Sequence, residues 1–237
     1  MNLIDNGRLG KYVLYGIGEV FLVVVGILIA LQIDNWNEER KDQQLSIQYL
    51  EGIHSDLGKD IKLINQIVED ESRVVAIMYS IHDHFSHLYI ADGALFSELI
   101  QPHSKDDMLY VFRRGTSFRG ISATYDSLIS DGKSGLIKNR ELFGEIQLIY
   151  DEQHTRLDSI YESIKESESN IAWAYSYERF NWDYDQLAAA KEEKIFLDLA
   201  SFTELRYLYC QWLILLRRDI ETVLPKLQQE IDILKSN

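Results

Sequence analysis

An apolar run near the start of the sequence restricts the folds open to this chain more than any other feature. The run covers residues 12–33 and reads YVLYGIGEVFLVVVGILIALQI. At a rise of about 1.5 Å per residue, a helix of this length matches the roughly 30 Å hydrocarbon thickness of a bilayer. A cleavable signal peptide would have a shorter apolar core followed by small residues, whereas this run continues into Asp34, Asn35 and Trp36. The run therefore predicts one N-terminal transmembrane helix that is retained as an anchor.

Glu19 is an ionisable residue inside this predicted span. A charged group at membrane depth costs several kcal/mol unless it faces protein, water or a partner. At about 100° per residue, Glu19 shares one helix face with Val23, Gly26, Ala30 and Ile33. The small residues Gly26 and Ala30 would let a second helix approach closely. We call these five residues the association face, and we expect it to join copies of this chain.

Three interpretations of Glu19 stay open. The carboxylate lies about two turns inside the span, so it could reach the interface or pair with Lys11 or the Tyr15 hydroxyl. A ring of glutamates in an oligomer could instead line a polar axis that binds cations or relays protons. The residue could also serve only to specify assembly.

Four short blocks around this glutamate occur together, at residues 18–19, 22–24, 26–33 and 35–38. They are similar to the N-terminal hallmark of an uncharacterised family of single-pass proteins of Gram-negative bacteria, a domain of unknown function. A weaker similarity lies in TYDSLISDGKSGLIKNRELFGEI, at Tyr125, Leu128, Ser130, Gly132, Leu136, Ile137 and Leu142. The resemblance covers about a fifth of the chain. It implies single-pass topology in a bacterial membrane and transfers no catalytic residue.

Beyond the span, residues 34–90 are predicted to form a long juxtamembrane helix. Asn35 and Glu38 could form a capping box that starts a new helix, or one helix could run on unbroken. This helix could continue as a coiled-coil stalk or pack against later helices of the same chain, and we favour the second. Its apolar residues keep a three-four spacing: Leu50, Ile53, Leu57, Ile61, Ile64, Val68, Val75 and Met78.

Two further stripes predict a helical-bundle domain over residues 91–237. We expect the last helix to open at a capping box of Ser201 and Glu204, and to kink or split at Pro225. The stripes are Leu142, Ile146, Ile149, Gln153, Leu157, Ile160, Ile164, Ile171 and Ala174, and then Leu208, Trp212, Leu215, Val223, Leu227, Ile231 and Leu234. The predicted fold is all-α, with residues 1–11 as an N-terminal flank to the transmembrane helix, the long amphipathic helix and the bundle.

Charge limits the partners that we expect. The 237 residues include 38 acidic and 24 basic side chains, for a net charge of -14, which disfavours nucleic acid. A local exception is a basic stretch that contains Arg113, Arg114, Arg119 and Lys133 among aromatic residues. Such a patch could bind an anionic ligand, but it more often neutralises acidic helices of its own chain.

The sequence shows no recognisable catalytic motif. His84 and His87 could share a helix face, but His82 points away and a metal site needs three or four convergent ligands. The single cysteine, Cys210, excludes a cysteine-based zinc site. The glycines around Lys133 lack the spacing of a phosphate-binding loop and predict a turn. We therefore expect neither an enzyme nor a metal or cofactor site.

These observations lead to one functional expectation and one alternative. The first is a homo-oligomeric single-pass protein with Glu19 on a polar axis that binds or conducts ions, gated by the helical domain. The alternative is a non-conducting membrane-anchored scaffold or receptor that binds a protein partner through that domain. The expected location is the bacterial inner membrane, with a cytoplasmic N-terminus and a periplasmic C-terminal domain. The expected partners are the bilayer, further copies of the chain and a protein.

Overall fold

The structure is a computed structural model that describes residues 6–81, 104–112, 115–179 and 181–236, with side chains from residue 14 onward apart from residues 105, 109 and 177. Across these ranges every regular element is helical and none is a strand, which confirms the all-α class. The α-helices are α1 (Asn6–Ile81), α2 (Ala123–Ser130), α3 (Arg140–Gln147), α4 (Thr155–Asn170), α5 (Ala172–Arg179), α6 (Tyr184–Ala189) and α7 (Lys194–Ser236). Two 3-10 turns (Lys105–Tyr110 and Ser134–Leu136) and a π-helical segment (Leu148–His154) complete the described elements.

The first helix, α1, is 76 residues long and continues without a break through Asn35 and Glu38. The capping box considered for these two residues therefore does not start a new helix. By contacts the chain divides into an N-terminal unit, Met1–Gln48, and a C-terminal unit, Tyr49–Asn237. We describe the two units separately.

In the N-terminal unit, α1 is long and apolar enough to cross a membrane. Its most apolar 18-residue stretch has a mean hydropathy of 2.5, and none of that stretch is buried. Exposed large side chains include Leu14, Phe21 and Ile33, each more than half accessible. An exposed surface of this kind needs lipid or another helix as its environment.

In the C-terminal unit, the rest of α1 forms one wall of the core. Leu50, Ile53, Leu57 and Ile64 are fully buried, as the three-four spacing predicts. The next buried position after Leu57 is not the predicted Ile61, which is half-buried, but Asp60. A charged residue thus occupies a core position of an otherwise apolar stripe.

The last helix, α7, packs along α4 and differs from the prediction in two ways. It begins at Lys194 rather than at Ser201, and it does not split at Pro225, since the helix continues to Ser236. The predicted stripe is also shifted in its first half, because Leu208, Trp212 and Leu215 are 38% to 44% exposed. The residues that face the core instead include Tyr207, Cys210, Leu213 and Ile214, whereas Val223, Leu227 and Ile231 are buried as predicted.

The predicted second long helix is divided into α3, the π-helical segment, α4 and α5. Leu142, Ile146, Ile149 and Leu157 are buried as expected. Gln153 is only half-buried, and the residue next to it, His154, faces inward instead. The π-helical turn causes this shift, since it fits an additional residue into the helix and changes which side chains face the core.

Candidate functional site

The association face lies on the exposed part of α1. Glu19, Gly26 and Ala30 are all exposed, and Val23 and Ile33 are 58% and 59% accessible. A Cβ atom added at Gly18 or Gly26 would meet nothing within 4 Å. A single copy of the described chain therefore leaves this face open over its whole length.

The predicted basic stretch is only partly described. Arg113 and Arg114 lie outside the described residues. Arg119 is exposed in the segment before α2, and Lys133 is exposed in the turn after α2. That turn joins helices as predicted, and Gly132 adopts a positive φ of 65° there, a conformation that glycine favours. The histidines His82, His84 and His87 also lie outside the described residues.

Arg119 lines an open cleft of about 630 Å³ beside α4. The cleft also contains Lys165 and the acidic residues Asp158 and Glu162. Lys165 already pairs with Glu162 at 3.4 Å, with both side chains more than half exposed. The cleft has mixed charge, so its lining does not favour an anion over a cation.

The most unusual polar arrangement in the described residues is an acid and a base inside the core. Asp60 is 0% exposed and His154 is 8% exposed. Nε2 of His154 lies 3.5 Å from Oδ2 of Asp60, and neither atom has a hydrogen-bond partner among the described residues. The other carboxylate oxygen, Oδ1, accepts a hydrogen bond from the backbone N–H of Ile121 at 3.0 Å. We call Asp60 and His154 the buried pair.

Burial displaces the pKa values of the buried pair in opposite directions, because each charged form loses its hydration. The pKa of Asp60 is raised to about 7, chiefly by desolvation and to a smaller extent by the neighbouring Asp56 carboxylate, against the opposing effects of the Ile121 hydrogen bond and of Lys59. Desolvation lowers the pKa of His154 to about 4, against an opposing effect from Asp126. Both residues are therefore stabilised in their neutral forms.

Aromatic rings enclose the imidazole. The rings of Phe118 and Tyr150 lie edge-on to His154, with centroids 5.4 Å and 5.0 Å away. Tyr150 in turn stacks on Tyr125 at 4.5 Å. The Tyr150 hydroxyl is buried without a hydrogen-bond partner in the described part of the chain, and burial raises its pKa, so it stays protonated. The Tyr125 hydroxyl donates to Asp151 at 2.9 Å.

Local features of the sequence hold these side chains in place. The π-helical segment carries both Tyr150 and His154 and directs them to the core. The backbone at Gly120 approaches the imidazole so closely that an added Cβ would collide with the ring of His154. Asp56, one turn before Asp60, accepts from the Thr124 hydroxyl at 2.6 Å and pairs with Lys59 at 3.0 Å.

A second set of buried charges joins α1, α4 and α7. Arg206 and Glu71 form an ion pair in which both side chains are about 5% exposed. Glu168, also buried, accepts a hydrogen bond from the backbone N–H of Gly115 at 2.7 Å. The guanidinium of Arg206 lies 5.6 Å from the ring centroid of Phe202. Nε of Arg206 is paired with Glu71, whereas its Nη1 is buried without a hydrogen-bond partner among the described residues. Opposite charges held together in a core in this way are typical of a structural network.

The sequence analysis found the association face but neither buried set. Asp60 and Glu71 follow the register of the apolar stripe on α1, three residues after Leu57 and seven after Ile64. An acidic residue at a core position of the α1 stripe was the sequence signal that could have identified Asp60 and Glu71. No comparable signal marks His154, because its inward position depends on the π-helical turn. Within the described residues no cluster of three or more His, Cys, Asp or Glu side chains is arranged to hold a metal ion.

Comparison with known proteins identifies the family of the chain. No curated protein and no solved structure matches it. A family model described as "Family of unknown function (DUF6090)" matches residues 19–163, which is more than half of the chain. The matched region begins at Glu19 and includes both residues of the buried pair. The chain therefore belongs to the family of unknown function DUF6090.

Proposed function

We propose that this chain is a single-pass membrane protein that self-associates through the association face and so brings Glu19 residues of several copies around a common axis. The observation that carries the proposal is that Glu19 is exposed on a helix whose neighbouring side chains are apolar and exposed. A carboxylate in such a position needs a polar environment within the membrane, and further copies of the same helix are one source of it.

The small residues on the face support close helix contact. Gly26 and Ala30 are four residues apart, the spacing at which small side chains let two helix backbones approach in a bilayer. Val23 and Ile33 would then pack on either side of this contact. Glu19 would lie toward one end of the interface, where a ring of carboxylates can bind cations or exchange protons.

Reconstitution tests the ionic role of Glu19. Purified full-length protein in liposomes should carry a cation or proton flux, measured with a pH-sensitive or cation-sensitive dye inside the vesicles. Glu19→Gln should abolish the flux because the amide has similar size and no charge. Asp34→Asn, which removes a carboxylate from the same helix beyond the apolar run, is the matched control and should retain it. A stable wild-type oligomer that carries no flux would contradict the conducting role.

A non-conducting scaffold or receptor is the second proposal, and exposed apolar residues on α7 favour it. Leu205, Leu208, Trp212 and Leu215 keep a three-four spacing and are 36% to 44% exposed. Such a stripe is typical of a helix face that packs against another protein. Affinity capture with the wild type should then return one stoichiometric partner. The double variant Leu208→Ser, Trp212→Ser should lose that partner while keeping its helical circular dichroism.

The location that we propose is the inner membrane of a bacterium, with the N-terminus in the cytoplasm and the C-terminal unit in the periplasm. The proposal rests on the balance of basic residues on the two sides of the span, where Asp34, Glu38 and Glu39 weaken the second cluster. A reporter that is active only in the periplasm, fused after Asn237, should be active. Activity of a cytoplasm-specific reporter at the same site would reverse the orientation.

A further inference from the structure

We propose that Asp60 and His154 form an internal proton-binding site, in which a proton taken up from water is bound to Oδ2 of Asp60 and the resulting O–H group donates a hydrogen bond to Nε2 of His154. The ligand of this site is the proton itself. The proposal is independent of the association face, since every residue that it uses lies in the C-terminal unit.

The geometry leaves a place for one proton. Oδ2 and Nε2 are 3.5 Å apart, both are buried, and neither has a hydrogen-bond partner among the described residues. Oδ1 already accepts from the backbone N–H of Ile121, so Oδ2 is the oxygen available for protonation. A proton on Oδ2 turns the two atoms into a donor and an acceptor and removes both unsatisfied groups. Two arrangements pair these atoms: a neutral carboxyl that donates to Nε2, and a carboxylate that accepts from an Nε2–H. Only the first leaves no charge in the core, where an ionised carboxylate is costly, so the protonated arrangement is the stable one.

The charges around the site also favour a bound proton. From α1, Asp56 and Lys59 face Asp60, and from α2 Asp126 acts on His154. The π-helical segment contributes the neutral hydroxyl of Tyr150. From α7, Tyr209 accepts a hydrogen bond from the backbone N–H of Phe118, whose ring covers the imidazole. The carboxylates outnumber the single lysine, and that lysine is itself exposed and paired with Asp56. Protonation removes a negative charge from a region that is already negative.

Proton uptake at this site is expected in the physiological range. Burial raises the pKa of Asp60 to about 7, so the carboxyl is protonated in mildly acidic solution and loses its proton to water near neutrality. After the proton is lost, the Asp60 carboxylate is buried and accepts one hydrogen bond, from the backbone N–H of Ile121. The site therefore changes charge inside the core within a range of pH that a cell envelope or compartment can reach.

Infrared difference spectroscopy of the full-length protein in detergent micelles tests the assignment. Spectra recorded from about pH 5 to about pH 9 should show the C=O band of a protonated carboxyl that disappears with a midpoint near 7. Subtraction of the Asp60→Asn spectra isolates this band from all other carboxyls. Asp56→Asn is the matched control on the same helix, because both oxygens of Asp56 are already paired. It should keep the band, with a midpoint at lower pH, because the Asp56 carboxylate raises the pKa of Asp60.

The variant His154→Gln is a second test of the same site. It keeps the proposal testable if Asp60→Asn fails to fold. Without the imidazole acceptor, the carboxyl band should persist at a changed frequency and with a changed midpoint. Circular dichroism checks that each variant keeps its helices. Wild-type and Asp60→Asn spectra that superimpose over the whole pH range would overturn the proposal, and an unchanged band in His154→Gln would remove His154 from the site.

Discussion

The Nε2 atom of His154 lies 3.5 Å from Oδ2 of Asp60, within a core formed by α1, the π-helical segment and α7. Burial stabilises both residues in their neutral forms, with the pKa of Asp60 raised to about 7 and that of His154 lowered to about 4. Between about pH 4 and 6.5 the folded pair holds one proton on Asp60, whereas the unfolded chain holds one on the histidine. Because both states bind the same number of protons, the pair adds no slope to the pH dependence of stability in this window.

Replacing His154 by glutamine should show how Asp60 alone affects the pH dependence of the free energy of unfolding. Its folded pKa is raised, so the stability that it contributes is fully present below about pH 4 and is lost as the pH rises through about 7. We expect the free energy of unfolding of His154→Gln to fall by up to about 1.4 kcal/mol per pH unit within that window. Denaturant unfolding of the full chain in detergent at several pH values measures this slope.

Asp60→Asn should give the opposite slope. The folded pKa of His154 is lowered, so the folded state binds fewer protons than the unfolded chain between about pH 4 and 6.5, and stability rises with pH. The wild type should lie between the two variants. Slopes of the same sign in both single variants would show that the two residues do not titrate as described.

The ion pair of Glu71 and Arg206 should be important for stability. Removing one partner leaves the other charge buried, which costs about 3 to 5 kcal/mol. We expect this loss in the free energy of unfolding for Arg206→Met, and a smaller loss for the double variant Glu71→Leu, Arg206→Met. Glu162→Gln, which breaks the exposed pair with Lys165, is the control and should change stability by less than about 1 kcal/mol. Equal losses in the buried and the exposed variants would contradict the role given to the network.

The close approach of Gly120 to His154 predicts a strong effect of a single methyl group. In Gly120→Ala the new Cβ would collide with the imidazole, and we expect a loss of about 1 to 3 kcal/mol in the free energy of unfolding. Gly58→Ala is the control, because a Cβ there meets nothing within 4 Å and the residue lies inside α1. Alanine is the better helix former, so this variant should gain about 0.5 to 1 kcal/mol. Thermal or denaturant unfolding separates the two outcomes, and a neutral Gly120→Ala would show that the backbone does not pack on the ring.

Bulky residues on the association face should weaken contact between copies. Gly26→Leu and Ala30→Leu place large side chains where two backbones are expected to approach. Energy transfer between donor-labelled and acceptor-labelled chains in liposomes should fall in both variants. Leu28→Phe adds volume on the opposite side of the same helix and should leave the transfer unchanged. A decrease that is equally large in Leu28→Phe would place the contact elsewhere.

The parts of the fold that follow from helical periodicity could be predicted from the sequence. The membrane-span candidate and the apolar wall of α1 are examples, because long runs with regular spacing identify both. The prediction was wrong where local geometry changes the period. The π-helical turn places His154 instead of Gln153 on the inner side. On α7 the buried residues are Tyr207, Cys210 and Leu213, whereas the predicted Leu208 and Trp212 are partly exposed. Pairing across the core brings Asp60 to His154, and no spacing along the chain encodes that contact.

The mass of the full-length protein in detergent tests self-association most directly, since the proposed function depends on it. Light scattering with a correction for bound detergent, or native mass spectrometry after release from micelles, gives the number of chains in the particle. We expect the wild type to form a defined oligomer of two or more chains and Gly26→Leu to shift toward the monomer. A wild-type protein that is monomeric at every concentration measured, with its helices intact, would contradict the assembly of Glu19 residues around a common axis.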